Sequence, residues 1–217
     1  MLVGVLSDIH GNKPALDAVL ADMPDVDALV CAGDVVGYNP WPAECVDALR
    51  DREVPTVVGN HDRAVVTDTG FGFNSMAGAG VRYAREQLSD AQLAWLDALP
   101  TERTVDGIKL VHGHPDDPDR YTYPRMFSAS LLGDEDALVT GHTHVQHHER
   151  YDAGVVCNPG SVGQPRDGDP DAAYALLDTE TLDVTERRVP YDVEAVVERV
   201  ESVDLPAEIG TRLRKGR

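Results

Sequence analysis

Five apolar segments of this chain are each followed at once by a short polar run, and this regularity constrains the fold more than any other feature. The apolar segments, 2–6, 28–32, 54–58, 108–111 and 137–140, have the length and composition of strands buried on both faces. The polar runs are Asp8-Ile9-His10, Gly33-Asp34, Gly59-Asn60-His61-Asp62, His112-Gly113-His114 and Gly141-His142-Thr143-His144. Because ligands bind beyond the carboxyl ends of strands in α/β sheets, the pattern predicts an α/β protein with all five runs at one pocket.

The local spacing within these runs favours a metal site. Asp8 and His10 are two residues apart, as are His142 and His144, so in an extended segment each pair projects to the same side. Any single run has a structural interpretation as a loop histidine or a helix-capping Asp, and for one run that interpretation is favoured. Five runs of carboxylate, imidazole and amide groups at consecutive strand ends instead predict bound divalent metal.

Composition limits the function further. The chain has 217 residues, which suits one domain, and its net charge is −19, from 38 acidic and 19 basic residues. An acidic chain repels polyanions, so general nucleic-acid binding is not expected. Lysine occurs only at Lys13, Lys109 and Lys215, and this acidic, lysine-poor composition resembles that of proteins from salt-loving archaea. An acidic mesophilic protein is the alternative.

No apolar stretch approaches the roughly 18 residues of a membrane span, and the N-terminal segment has no basic region typical of a signal peptide. We therefore expect a cytoplasmic protein without membrane contact. Cys31, Cys45 and Cys157 lack metal-binding or redox spacing and are expected to be buried thiols.

Helical periodicity and turn signals outline the remaining elements. Helices are predicted over 13–23, 41–49, 73–88, 90–99 and 193–200, and a hairpin over 173–178 and 182–189. Ser89 and Gln92 form a capping box at the start of the fourth helix. We expect residues 1–217 to form a single domain of two sheets packed face to face, with a helical cap or side wall at about 71–100.

The order of the five polar runs resembles the D-x-H, G-D, G-N-H-D/E, H and G-H-x-H motifs of the calcineurin-like metallophosphoesterase superfamily. The resemblance covers nearly the whole chain and implies a four-layer α/β/β/α sandwich of two mixed sheets flanked by helices. The residues implied for a first metal are Asp8, His10, Asp34 and His144. Those implied for a second are Asp34, as a bridge, with Asn60, His112 and His142. The resemblance places His61 beside the leaving group and outside both metal shells.

The chemistry implied by the resemblance is hydrolysis of a phosphoester by in-line attack of a hydroxide that bridges two divalent metals. The ligands contain nitrogen and oxygen but no sulfur, which favours Mn²⁺ or Fe, with Zn²⁺, Co²⁺ or Ni²⁺ as alternatives. His61, if protonated, donates to the departing oxygen. The expected partner is a small phosphoester substrate, and the sequence makes no prediction of oligomeric state.

Two departures from related branches narrow the choice of branch within the superfamily. Protein phosphatases of this superfamily follow G-D with an Asp-Arg-Gly run and place an arginine before G-N-H, whereas this chain has Val35 and Val58 at those points. The protein phosphatase and diadenosine-tetraphosphate hydrolase branches are therefore disfavoured. What remains resembles the YfcE-like group of small prokaryotic phosphodiesterases, which predicts a small or nucleotide-like phosphodiester as substrate.

Three residues after the last motif, Asn158, Ser161 and Arg166, are candidate substrate contacts, since a guanidinium matches phosphate bidentately. A loop held by a turn and a surface salt bridge is the equally weighted alternative. A phosphomonoesterase, including a protein phosphatase, and a non-catalytic scaffold like the retromer subunit of the same fold are the competing functions. Asn60 and His61 argue for catalysis, because a scaffold needs neither.

Overall fold

A computed structural model of the chain describes residues 1–68 and 74–217. The strands are β1 (Leu2–Leu6), β2 (Ala28–Cys31), β3 (Glu102–Val105), β4 (Ile108–Val111), β5 (Ala137–Val139), β6 (His147–Tyr151), β7 (Gly154–Asn158), β8 (Ala172–Asp178) and β9 (Val184–Val189). The helices are α1 (Lys13–Asp22), α2 (Pro42–Arg50), α3 (Asn60–Thr67), α4 (Ser75–Gln87), α5 (Asp90–Asp97), α6 (Val193–Ser202) and α7 (Ala207–Thr211).

The strands form two mixed sheets. The first has the order β2-β1-β8-β9, in which β1 runs parallel to β2 and antiparallel to β8. The second has the order β3-β4-β5-β7-β6, in which β4, β5 and β7 are parallel neighbours. Four of the five polar runs follow the carboxyl ends of β1, β2, β4 and β5, which form two parallel pairs, as predicted.

Alternation along β1 shows how the layers pack. Val3 and Val5 face the second sheet and join Ile108, Val139 and other residues in the core between the sheets. Leu2 and Leu6 face the opposite way, into a core shared with α1, α2 and the α4–α5 pair. The outer face of the second sheet is covered at Phe127, between short 3-10 turns at Pro124–Met126 and Ala129–Leu131. The sandwich of two sheets with helical flanks is confirmed.

Local differences from the predicted elements have clear causes. The apolar segment 54–58 pairs with β2 only through an isolated bridge between Cys31 and Thr56. Pro55 has no amide hydrogen to donate to a neighbouring strand, which shortens pairing there. Strands β3, β6 and β7 and helices α3 and α7 were not predicted, because their sequences are polar or short, without the periodicity on which the prediction depended.

The predicted cap or side wall at about 71–100 contains α4 and α5. Residues 71–73, including the predicted helix start at Phe73, lie outside the described residues. Val81, Ala84 and Leu96 of this pair belong to the main core on the helical side of the first sheet, so the pair packs as a wall. The Ser89–Gln92 capping box is confirmed. Within the described part of the chain, none of the helices has both the length and the apolar character needed to cross a membrane.

Candidate metal centre

Backbone hydrogen bonds tie the motif-bearing loops to one another. The amides of Asp8 and His10 donate to the carbonyl oxygens of Gly33 and Asp34, both at 2.9 Å. The amide of Gly141 donates to His112 O at 2.8 Å in the second sheet. The loops from both sheets therefore form one rigid frame, and the side chains that they carry converge on one site.

Five of the predicted ligands have a left-handed backbone. The φ angles of Asp8, His10, Asp34, His142 and His144 lie between 49° and 65°. The side chains of Asp8 and His10, and those of His142 and His144, do reach one site. They do so from left-handed turns, so the extended conformation expected for these segments was wrong. Non-glycine residues in this conformation cost free energy and cluster at functional sites, where surrounding structure enforces them.

The first cluster consists of Asp8, His10 and His144, all buried. The Nε2 atoms of the two histidines are 3.1 Å apart, and they lie 3.7 Å and 3.2 Å from Asp8 Oδ1, respectively. Asp8 Oδ2 accepts hydrogen bonds from Ser7 Oγ and His142 N, whereas Oδ1 has no donor among the described residues. Ligand atoms on one ion at about 2.1 Å stand about 3.0–3.4 Å apart, so two of the three distances fit a shared cation as they stand.

The second cluster consists of Asp34, His112 and His142, with Asn60 beside them. His112 Nε2 lies 3.3 Å from Asp34 Oδ2 and 3.2 Å from Asn60 Oδ1. Asp34 Oδ2 is also 3.6 Å from His10 Nε2 of the first cluster. Asp34 Oδ1 accepts a hydrogen bond from the backbone amide of His61, at 2.8 Å. One oxygen of Asp34 is therefore fixed by backbone and the other faces both clusters.

Glycine at position 59 is required for this arrangement. A Cβ atom there would lie 2.0 Å from Asp34 Oδ1 and 2.3 Å from Asp34 N, a contact that no side chain can relieve. The close approach allows α3 to begin directly against the Asp34 carboxylate, which brings Asn60 and His61 into the site.

Backbone carbonyls fix the orientation of the imidazole rings. The Nδ1 atoms of His10, His112 and His144 lie 3.2, 2.7 and 2.6 Å from the carbonyl oxygens of Val36, Ala32 and Gln164. Since a carbonyl only accepts, Nδ1 carries the hydrogen and Nε2 faces the centre. His142 is reversed, with Nε2 donating to Asp119 O at 3.2 Å, so that its Nδ1 is the free ligand atom. Such partners are typical of metal-binding histidines.

The electrostatics of the site suit metal binding. Burial lowers the pKa of His10 well below its usual value, and burial together with the charge of His112 lowers the pKa of His142 to about 4. These rings are neutral at pH 7, as ligation requires. Burial opposes a charge on His112 too, but the Asp34 carboxylate outweighs it and raises the pKa of His112 to about 10. A carboxylate that stabilises a positive charge beside it so strongly also favours a divalent cation there.

His61 packs against this centre. Its ring lies 4.8 Å from that of His10 and 4.7 Å from that of Tyr38, measured between ring centroids. Burial lowers the pKa of His61 to about 4, with Asp34 opposing and Arg166 adding to the effect. His61 is close enough to His10 and Asp34 to be a further ligand. Its distance therefore allows either a metal-binding or a proton-donating role.

Two predicted substrate contacts lie elsewhere than expected. Asn158 is buried, its Nδ2 donates to Gly141 O and Thr143 Oγ1, and its Oδ1 accepts from Gly160 N. Ser161 is also buried and donates to Asp8 O at 2.7 Å. Both residues support the turns that hold the ligands from behind, so the expectation of direct substrate contact is corrected. Arg166, the third candidate, lines the cavity in front of the centre.

This cavity has a volume of about 210 Å³ and opens directly onto the metal ligands. Its wall includes Tyr38, Tyr121, Arg166 and Arg212, together with His61. Tyr38, Tyr121 and Arg212 were not predicted from the sequence as site residues. The signal that could have found Arg212 is the basic C-terminal run of an otherwise acidic chain, and Tyr121 lies in an aromatic run after the fourth motif.

The resemblance assigns His114, His147 and His148 to neither metal, and these three histidines lie outside the two clusters. His114 contacts Arg120 and Asp116, and His148 pairs with Glu186 at 2.7 Å. His147 packs against Phe127 on the second sheet. The three cysteines are buried and free, as expected.

Comparisons with known proteins agree with this geometry. The model of the calcineurin-like phosphoesterase superfamily domain matches residues 1–182. An uncharacterized protein of Methanocaldococcus jannaschii is 33% identical and covers 100% of this chain and 98% of its own. The phosphodiesterase YfcE of Escherichia coli is 30% identical over 82% of this chain and 88% of its own. A metallophosphoesterase from Sphaerobacter thermophilus has a crystal structure with a TM-score of 0.89 and 32% identity, covering 100% of this chain and 99% of its own.

Proposed function

The chain belongs to the calcineurin-like phosphoesterase superfamily and is thus a phosphoester hydrolase, and from this premise we propose that it is a phosphodiesterase with two divalent metal ions, acting on small or nucleotide-like phosphodiesters. The superfamily implies divalent metal, and the two clusters offer candidate ligands for it. The name of the relative YfcE supports the preference for diesters.

One observation carries the proposal: atoms that can only accept hydrogen bonds converge at the first cluster. The Nδ1 atoms of His10 and His144 donate to carbonyls, so their Nε2 lone pairs face one another across 3.1 Å, beside the undonated Asp8 Oδ1. Lone pairs and a carboxylate oxygen repel one another unless a cation lies between them. In the second cluster the Asp34 carboxylate draws a positive charge onto His112 Nε2, at 3.3 Å, and a cation bound there would take the place of that proton.

In the proposed site the first metal is held by Asp8, His10, Asp34 and His144. The second is held by Asp34, Asn60, His112 and His142. When bound, two such ions lower the pKa of water to near 7 and neutralise charge on the phosphoryl oxygens. Mn²⁺ or Fe suits the nitrogen and oxygen donor set best.

The protein's own contribution is to orient the substrate and to move a proton. His61 lies beside the bridging Asp34, on α3, where its ring reaches the cavity. A phosphate in the cavity adds negative charge next to this buried ring and raises its pKa, which favours the imidazolium. His61 then donates its proton to the departing oxygen, and Arg166 contacts the substrate from the cavity wall.

A panel of substrates tests the proposal. The metal-saturated protein is assayed with bis(p-nitrophenyl) phosphate and p-nitrophenyl phosphate, which share a leaving group, with Mn²⁺, Fe²⁺, Zn²⁺, Co²⁺ and Ni²⁺ in turn. We expect a higher kcat/KM for the diester. Faster hydrolysis of the monoester would favour the phosphomonoesterase alternative, and no hydrolysis with any metal would favour the scaffold.

A further inference from the structure

Two arginines in the cavity wall have no acidic side chain as partner. Arg166 follows the last motif, and Arg212 caps the end of α7 in the C-terminal region, so the two come from segments far apart in sequence. Among the residues that the structure describes, neither pairs with an Asp or Glu side chain, although the chain has 38 acidic residues. By contrast Arg63, Arg188 and Arg214 pair with acidic side chains.

The guanidinium of Arg166 is held in place by neutral groups. Its Nη2 donates to Gln164 Oε1 at 2.7 Å and to Tyr38 OH at 3.3 Å, and its Cζ lies 5.7 Å from the centroid of the Tyr38 ring. Gln164 is buried, and Tyr38 is fixed because its backbone packs against Gly80 of α4, where a Cβ atom would lie 2.3 Å from Tyr38 N. These contacts orient the charge without neutralising it.

Arg212 is held mainly by its main chain. Its Nε donates to a terminal main-chain oxygen of Arg217, and its backbone is anchored by the buried neighbours Ile209 and Leu213. Burial and the nearby charge of Arg166 lower the pKa of Arg212, so the two positive charges repel each other across the cavity. An anion between two like charges removes this repulsion.

The scissile phosphoryl group has other partners, since the metal ligands and His61 lie on the inner side of the same cavity. Arg212 is therefore available for a second anionic group. We propose that Arg166 and Arg212 form an anion subsite, which binds a second, non-reacting phosphate of the substrate. This inference rests on the proposed phosphodiesterase function and narrows its substrates to compact phosphodiesters that carry a further phosphate.

The size of the cavity agrees with this substrate class. At about 210 Å³ it is smaller than the roughly 300–1,000 Å³ of pockets that enclose drug-sized ligands. Arginine binds phosphate bidentately, and two guanidinium groups provide enough donors for all three outer oxygens of a terminal phosphate. The acidic surface repels polyanions in general, so selective binding of a phosphate requires a local positive site of this kind.

A matched pair of substrates tests the subsite. Thymidine 5′-(p-nitrophenyl phosphate) and its 3′-phosphorylated derivative have the same scissile diester and leaving group and differ only in the second phosphate. We expect the wild-type protein to prefer the phosphorylated compound through a lower KM. Arg212→Gln is expected to reduce this preference by about 10- to 100-fold, the range for one or two charge-assisted hydrogen bonds.

Arg214→Gln is the matched control, because it removes the same charge two residues away, where Arg214 pairs with Glu194. It should keep the preference. Arg212→Lys retains the charge and should restore part of the preference, which also covers the case in which Arg212→Gln does not fold. Equal kcat/KM of the wild-type protein for both compounds, or a preference that Arg212→Gln leaves intact, overturns the subsite while the phosphodiesterase function stands. If the protein hydrolyses neither compound, both the subsite and the phosphodiesterase function are overturned.

Discussion

The metal centre and the outer wall of its cavity are built in different ways. The centre consists of buried side chains at strand ends, whose loops are clamped by backbone hydrogen bonds between neighbouring motifs. The wall consists of partly exposed residues such as Tyr121, Arg166 and Arg212, which come from long loops and from the C-terminal region. The centre is therefore suited to one reaction, whereas the wall can change with the substrate.

This comparison leads to a general expectation for substitutions. A change in the centre should lower the reaction rate for every substrate, because it alters metal binding or proton transfer. A change in the wall should alter KM for some substrates and leave metal binding intact. Results that reverse this assignment would show that the two regions are not separate.

The largest effect is expected for Asp34→Asn. Asp34 Oδ2 faces both clusters, so the loss of its charge should lower the affinity for both metals by more than about 100-fold. Even groups that only hydrogen-bond to metal ligands contribute about 10- to 100-fold to metal affinity. Isothermal titration with Mn²⁺ measures both affinities. Asp22→Asn, on the surface beside Arg187, is the control. Loss of only one metal would place the bridge elsewhere.

His61→Ala is expected to affect turnover and to leave metal affinity unchanged. If His61 donates a proton, turnover should fall by about 10²–10⁴-fold while both metals stay bound. The loss should shrink for a p-nitrophenyl ester, whose leaving group needs little protonation, and be larger for an alkyl ester. A variant that binds one metal fewer would instead make His61 a ligand, as its distance to Asp34 and His10 allows.

Tyr121 connects the two regions, and its replacement should have an intermediate result. Its ring stacks on that of His142, with centroids 3.9 Å apart and an interplanar angle of 15°. Tyr121→Leu should weaken the second metal about tenfold, as for other groups that orient a ligand. Tyr121→Phe keeps the stacking and should keep the affinity. Equal weakening in both variants would mean that the hydroxyl matters and not the ring.

The smallest effect concerns the surface. The charge of −19 opposes the compact state at low salt, and its repulsion is screened at molar KCl. We expect the melting temperature of the metal-saturated protein to rise by roughly 2–8 °C between low and molar salt, which is about 1–2 kcal/mol. A flat or falling melting temperature would contradict the salt-adapted interpretation and leave the metal centre unaffected.

The sequence predicted the centre better than the wall for a physical reason. Residues such as Asp8 and His142 directly follow buried apolar strands, so the fold of the sheets determines where they lie. Arg212 reaches the cavity because α7 and the C-terminal turn pack against α6 and Tyr38. No local sequence pattern indicates that packing. Asn158 and Ser161 have the chemistry of substrate contacts, but their burial depends on long-range packing that the sequence does not reveal.

The central claim is that two metals lie on either side of Asp34. Anomalous diffraction from crystals of the Mn²⁺-reconstituted protein measures the number and position of the ions together. The account predicts two peaks about 3.5–4 Å apart, one near Asp8, His10 and His144 and one near Asn60, His112 and His142. A single peak, or two peaks that do not share Asp34, would contradict it.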